Sequence, residues 1–282
     1  MNISRTIVLS FAFFVVVLAT GCVQEQSTSF ANKTTSGTGQ ESMVLLVNGV
    51  NNDTLNALSG LDQATSDAAI SLGRAGLSGN EAEAVLGRVL SSDPAVLTVI
   101  TIDRNGTVVS AVPEDAQVLI GENLGDQAVV RQVIETRKPV MSDIIPLAQG
   151  GYAVLIEYPV FSPDGNFSGV ISTSFLPWNL IAPVVENATA GTPYSFMVTQ
   201  TDGRVLYDPD PLEIGKDTLN ETMYSDFPEI LETARRLSYE SSGSASYSFY
   251  STGFGKVVNK EAFWTTLSMH GTEWRVMGIR EV

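Results

Sequence analysis

Between Ser42 and about Leu77, apolar residues fall at Val44, Val47, Val50, Leu55, Leu58, Leu61, Ala64, Ala68 and Leu72. Steps of three and four along a chain place them on one face of an amphipathic helix, and the Asn51-Asn52-Asp53 cluster is where such a helix would break or kink. Ser78-Gly79-Asn80 then sets off a second helix, Glu81 to Leu90, which Ser91-Ser92-Asp93-Pro94 closes. Beyond it the apolar runs shorten to strand length. Strands are predicted at Val96–Asp103, Thr107–Val112, Val140–Pro146, Tyr152–Phe161 and Gly169–Phe175, with a helix at Gln127–Thr136. That helix stops before Pro139 because the residue preceding a proline avoids helical geometry. Pro159 interrupts the longest strand and marks a bulge or an edge.

The second half predicts the same succession. A connecting helix from Pro177 to Asn187 leads into strands Tyr194–Gln200 and Arg204–Tyr207, a helix Met223–Leu237, and strands Ala245–Tyr250, Glu261–Ser268 and Glu273–Ile279. The parallel extends to the residues themselves. Ile100-Thr101-Ile102-Asp103-Arg104-Asn105-Gly106-Thr107-Val108 is followed by Ile120-Gly121-Glu122-Asn123-Leu124. Val198-Thr199-Gln200-Thr201-Asp202-Gly203-Arg204-Val205-Leu206 is followed by Ile214-Gly215-Lys216-Asp217-Thr218-Leu219. Each reads as a hairpin through an Asn-Gly or Asp-Gly turn, where Gly and Asn accept positive φ at low cost. A spacing of almost a hundred residues is far longer than the units of about 20–50 that build solenoids. The chain therefore carries one small α+β domain twice.

Ahead of these elements, Ile7 to Ala19 is apolar, with Arg5 the only charge before it. The run is shorter than the roughly 20 residues of a membrane span and suits a signal-peptide core. Leu18-Ala19-Thr20-Gly21-Cys22 resembles the lipobox at which prokaryotic lipoproteins are cleaved before a lipid-modified cysteine, and Cys22 is the one cysteine of the chain. Residues 22–40, polar and rich in Ser, Thr, Gly and Gln, read as a flexible tether. Loss of residues 1–21 would remove Arg5 and no acid, moving the net charge from −15 to −16. An acidic chain without a lysine- or arginine-rich run argues against nucleic acid and against docking on anionic lipid. Asn-x-Ser/Thr sequons at Asn32, Asn52, Asn105, Asn166, Asn187 and Asn220 fit an extracytoplasmic protein.

The order of Asp103–Val109, Ile120-Gly121, Arg137-Lys138-Pro139-Val140, Tyr158-Pro159-Val160-Phe161, Asp164-Gly165, Gly169-Val170 and Trp274-Arg275-Val276 resembles the double Cache family of extracellular sensor domains. The resemblance covers about residues 41–282. It implies a long supporting helix (41–78), a membrane-distal PAS-like module (79–176) and a membrane-proximal one (177–282), each with an antiparallel sheet of about five strands and flanking helices. It also implies a small molecule held in the distal module, between the sheet and its covering loops. The family's receptors continue into a second membrane helix and a signalling domain. With the sequence at hand ending at Val282, the expectation is a sensor whose output lies on a separate membrane receptor or transporter. The Arg-x-x-x-Trp-Tyr cluster of the amino-acid-binding version is missing before Tyr152, and the last strand of the first module carries no Asp.

Catalytic chemistry finds little footing. With His270 the sole histidine and Cys22 assigned to lipid, a Cys–His pair is excluded, and no Gly-x-Ser-x-Gly elbow, phosphate-cradling loop or histidine pair for zinc is present. Asp208-Pro209-Asp210 lacks the turn glycine and closing Glu of a calcium loop and reads as a solvated turn. His270 is expected to brace the turn between the last two strands, and Trp264 and Trp274 to pack across them. No catalytic residue, metal or cofactor is expected.

For a ligand, the polar residues inside apolar strands of the first module are the candidates. Along the longest strand Tyr152 and Tyr158 share one face and Glu157 takes the other. Ser172 and Ser174 share a face of the last strand, and Arg131 and Arg137 flank the covering helix, where they would clamp a carboxylate such as that of an organic acid. The expected protein is a lipid-anchored, extracytoplasmic binder of a small metabolite. The competing reading is an envelope scaffold lipoprotein with a vestigial pocket.

Because lipid attachment would require Cys22, Cys22→Ser should release the protein from the membrane fraction. Retention of the variant after a high-salt wash would overturn the lipid-anchor reading.

Overall fold

A computed structural model describes residues 31–146, 152–251 and 255–282, with side chains from Gly39 onward. The signal segment, Cys22 and the Gly150-Gly151 turn lie outside the described residues. Helix α1 (Ala31–Ala75) begins inside the segment read as a tether and runs through Asn51-Asn52-Asp53 without a break. Asn52 and Asp53 face solvent there, while Met43, Val47, Val50, Leu58, Leu61, Ala68 and Leu72 form a buried stripe. Packing of that stripe outweighs the weak helix preference of Asn and Asp. Each fully buried large side chain contributes about 1.5–3 kcal/mol. Val44, which the spacing puts in the stripe, is exposed, and Met43 fills that place.

Helix α2 (Asn80–Leu90) packs on the far end of α1 and on the first sheet, with Ala82, Val85, Leu86 and Val89 buried against Ala68, Leu72, Val99 and Ile171. The first sheet comprises β1 (Val96–Asp103), β2 (Val108–Val112), β3 (Val140–Met141), β4 (Ile145–Pro146), β5 (Tyr152–Phe161) and β6 (Phe167–Phe175), in the order β2-β1-β6-β5-β3 with β4 also on β5. The single strand expected over 140–146 is divided. Between the halves, Ser142 keeps the pairing going with its backbone N–H to Leu155 O (2.9 Å) and with its hydroxyl, which accepts from Leu155 N (2.9 Å). Pro159 is tolerated because β3 pairs with β5 only at Glu157 and Ile156, so no strand flanks Pro159 on that side. The connection from β2 holds a 3-10 helix at Glu114–Leu119 and α3 (Ala128–Thr136), which ends on Arg137 in the left-handed region at φ 59°.

After α4 (Pro177–Thr189), the second sheet repeats the topology. Strands β7 (Tyr194–Gln200), β8 (Val205–Tyr207), β9 (Gly243–Tyr250), β10 (Val257–Met269) and β11 (Thr272–Glu281) lie in the order β8-β7-β11-β10-β9, all antiparallel, and α5 (Pro228–Tyr239) corresponds to α3. Helix α5 starts five residues later than the apolar spacing predicts. Pro228 accounts for the start, since its missing N–H is no loss in the first turn.

The repeat holds at the level of single hydrogen bonds. Gly121 N donates to Val108 O (2.9 Å) and Val108 N to Glu122 O (2.9 Å), while Gly215 N donates to Val205 O (2.8 Å) and Val205 N to Lys216 O (2.9 Å). Leu124 N reaches Gly106 O (2.7 Å) as Thr218 N reaches Gly203 O (2.9 Å). The Ile-Gly elbow thus folds back as a third rung on each hairpin. Gln40–Val282 forms one compact unit, in which α1 and the inner faces of both sheets share a core.

Gly106 and Gly203 both sit at φ 91°, and a Cβ there would come within 2.6 Å of Gly125 Cα and 2.9 Å of Leu219 Cγ respectively. Gly106→Val and Gly203→Val should each lower the unfolding free energy by more than about 1 kcal/mol in chemical denaturation, since a β-branched residue fits neither the backbone nor the space. Unchanged midpoints would refute the hairpin geometry.

Candidate functional site

The first sheet has an inner face toward α1 and an outer face toward α3. Direct pairing sets one row of the outer face: Ala111, Ile100, Ser172, Glu157 and Val140, drawn from β2, β1, β6, β5 and β3. Side chains opposite one another in such pairs stand on the same side of the sheet. The row lies in the core formed with Val130 and Val133 of α3. Glu157 is therefore a carboxyl surrounded by apolar groups. It is 0% exposed, and among the described residues neither carboxyl oxygen has a hydrogen-bond partner. Burial pushes its pKa up to about 7, and the approach of the Ser172 hydroxyl offsets that only in part. Ser174, one pleat along, is buried and donates to Thr98 O (3.2 Å).

The remaining sequence candidates do not join this group. Arg131 and Arg137 are exposed, and the Arg137 guanidinium stacks on the Phe167 ring at 3.4 Å. Tyr152 turns toward the second module, its ring against Gly215. Tyr158 points toward α1. Its hydroxyl donates to Asp62 Oδ1 (2.9 Å), the same oxygen that meets His270 Nε2 at 2.6 Å, and Tyr158 Oη and His270 Nε2 are 3.3 Å apart. Burial and the Asp62 carboxylate raise the Tyr158 pKa and keep the phenol protonated. His270 does sit in the β10–β11 turn, at φ 50°, but its ring bridges to α1 instead of bracing that turn. A lone histidine in a turn carried no sign of the partner some two hundred residues away. Trp264 and Trp274 occupy opposite faces of the second sheet. Trp274 is fully buried near Phe175, and Trp264 lies under the Arg236 guanidinium.

Among the described residues no helix is long and apolar enough to cross a membrane. The second module holds a cavity of about 390 Å³ between its sheet and α5, which the sequence analysis did not anticipate. Its walls come from residues far apart in the chain, and no local motif announces them.

Residues 56–177, which cover the last part of α1 and the first module, match the family model of the HK/GC/chemotaxis protein-like sensor domain. Among solved structures the chain is similar to an extracellular ligand binding receptor from Desulfohalobium retbaense, with 25% identity and a TM-score of 0.69 over 85% of this chain and 40% of that one. The chain thus spans less than half the length of that receptor. It is also similar to the ligand-binding domain of the Pseudomonas aeruginosa amino acid chemoreceptor PctB in complex with L-Arg, at 15% identity and a TM-score of 0.61 over 86% of this chain and 94% of that one. The ligand-binding domain of the Pseudomonas fluorescens chemoreceptor CtaA, in complex with L-alanine, aligns at 12% identity and a TM-score of 0.60 over 86% and 96% of the two chains. None of the curated proteins matches. The fold is the one these sensor domains share, two PAS-like modules on one long helix, and the matched segment covers the end of that helix and the first module.

The elevated pKa of Glu157 has a consequence for stability. The folded state holds a proton that the unfolded chain releases, so stability should fall as pH rises from about 4.5 to about 7 and level off above. Denaturation of wild type against Glu157→Gln across that window should isolate a difference on the order of 3 kcal/mol. Parallel pH profiles would show that the carboxyl is not buried as described.

Proposed function

We propose that the protein is an extracytoplasmic sensor that binds a small molecule in its first module, beneath α3, without chemical turnover. The observation that carries this reading is Glu157. A carboxyl with both oxygens buried and unpaired costs free energy in the unliganded fold, and a ligand that donates to it recovers that cost. Ser172, directly opposite, supplies a hydroxyl that can donate or accept. The ligand class is therefore a compact molecule with an ammonium or amide N–H group. L-Arg, L-Gln and L-alanine, the compounds named with the PctB and CtaA domains, all carry an ammonium group. Exposed Arg131 and Arg137 would serve a ligand carboxylate only after moving inward, so an organic acid without a donor fits less well.

The match of the sensor-domain family to the last part of α1 and the first module supports the same placement. In this reading the lipobox-like segment before Cys22 supplies a lipid anchor, and a separate membrane protein reads the bound state.

A thermal-shift screen of the full chain against amines, amino acids and organic acids should find stabilisation by a donor-bearing compound. About 2.7 kcal/mol is expected at a hundredfold excess over Kd. Glu157→Gln should abolish the shift. A stabilising compound whose effect survives Glu157→Gln would displace the proposal, and the absence of any shift across the screen would favour a scaffold role.

A further inference from the structure

The cavity of the second module lies on the face of its sheet that corresponds, through the repeat, to the Glu157 face of the first. Met197 and Met277, register partners on β7 and β11, form part of its floor, and α5 forms part of its roof. One wall is aromatic. Phe227, Phe249 and Tyr250 pack edge to face, with centroids 4.9 Å (Phe227–Phe249), 5.1 Å (Phe227–Tyr250) and 5.4 Å (Phe249–Tyr250) apart, and Tyr224 stands 6.3 Å from Phe249. Edge-to-face packing presents electron-rich ring faces, which attract cations.

The charged groups of the lining add to this bias. Three carboxylates, Asp208, Asp210 and Glu213, face two amines, Lys216 and Lys260. Lys216 is taken by Glu213 at 2.7 Å. Lys260 lies 5.8 Å from the Phe249 ring centroid, and its charge acts on Asp208 without cancelling the rise in the Asp208 pKa. Asp210 Oδ1 is engaged by Leu212 N (3.0 Å). Asp208 is mostly buried. Its Oδ1 accepts from Asp210 N (2.9 Å), and Oδ2 meets no donor among the described residues. One carboxylate thus stands beside an aromatic wall with its charge only partly offset by Lys260.

We propose that this cavity is a second ligand site, selective for an organic monocation: a primary amine on an aromatic or similarly sized apolar body, its ammonium on Asp208 and its body against Phe227, Phe249 and Tyr250. A cation there gains a charge-assisted hydrogen bond and ring contact together, whereas an anion would have to overcome the carboxylate excess. The site is independent of the first-module reading, because no residue is shared.

Three near-isosteric probes test the assignment by calorimetry on the full chain: phenethylamine, phenethyl alcohol and hydrocinnamate. Phenethylamine should bind most tightly. Asp208→Asn should weaken it at least tenfold while leaving phenethyl alcohol within about twofold, and Phe249→Leu should weaken both. Glu157→Gln should leave the Asp208-dependent part of phenethylamine binding in place, so that the two sites are read separately. Asp208 has its pKa raised to about 6, first by burial and then by Glu213 and Asp210 against the opposing Lys260; Lys216 and the phenols of Tyr207, Tyr224 and Tyr247 are the other titratable groups near it. Amine affinity should therefore rise about tenfold from pH 5 to pH 7 as the carboxyl ionises. Tighter binding of hydrocinnamate, amine binding indifferent to Asp208→Asn, or no binding of any probe would overturn the proposal. If Glu157→Gln alone abolished amine binding, the ligand would belong to the first module, and that reading would stand while this one fell.

Discussion

Everything in this molecule hangs on one helix serving two sheets. The apolar stripe of α1 packs against Phe196, Val198, Trp274 and Val276 of the second sheet at one end and, farther along, on Val99, Val160 and Ile171 of the first. Neither sheet can cover its inner face by itself, so the helix supplies the missing layer to both. Along this interface, Asp62 projects from α1 into the gap between modules and takes Tyr158 from β5 and His270 from the β10–β11 turn on a single oxygen, while Thr65 donates to Thr173 Oγ1 (3.1 Å). That arrangement fixes the rotation of the helix, because a turn about its axis by one residue would bury the carboxylate among aliphatic side chains.

Further polar contacts hold the modules in register. Gln200 Oε1 accepts from Ile144 N at 2.5 Å, and Thr272 Oγ1 donates to Met141 O at 2.6 Å. Both tie the segment around β3 and β4 to the second sheet. This is the segment that runs from α3 into β5, so one side of the first module's covered face is anchored to its neighbour. Glu157 and Tyr158 are consecutive on β5 and point to opposite faces, one toward the proposed ligand and the other toward Asp62 and His270. The alternation of a paired strand thus places the two groups back to back on β5.

The two modules treat corresponding surfaces differently. In the first, aliphatic side chains from α3 and the sheet fill the outer face and leave a single carboxyl stranded among them. In the second, large aromatic residues line the same position and cannot close it, leaving space beside Asp208. Duplication conserves the backbone framework, as the matched elbow hydrogen bonds show, and the side chains on that framework set the chemistry of each face.

Much of this was readable from the chain alone, wherever the physics is local. The duplicated turn glycines, the helical period before Leu77 and the proline stops depend on backbone sterics and on periodicity within a dozen residues, and they located both modules and their strands. That Glu157 stands among apolar neighbours on its strand was equally visible, whereas its burial without a partner among the described residues was not. Other features were decided by residues distant in sequence. Asn51-Asn52-Asp53 stayed helical because a tertiary stripe overruled propensity. Tyr158 and His270 became partners because two modules meet on one helix. Arg131 and Arg137, plausible as a clamp by type and position, ended on the outer surface because the apolar side of α3 is the one that packs. The aromatic wall near Asp208 is assembled from α5, β9 and the loops before them. Periodicity reports which face of an element is buried, whereas which faces meet is a property of the folded chain.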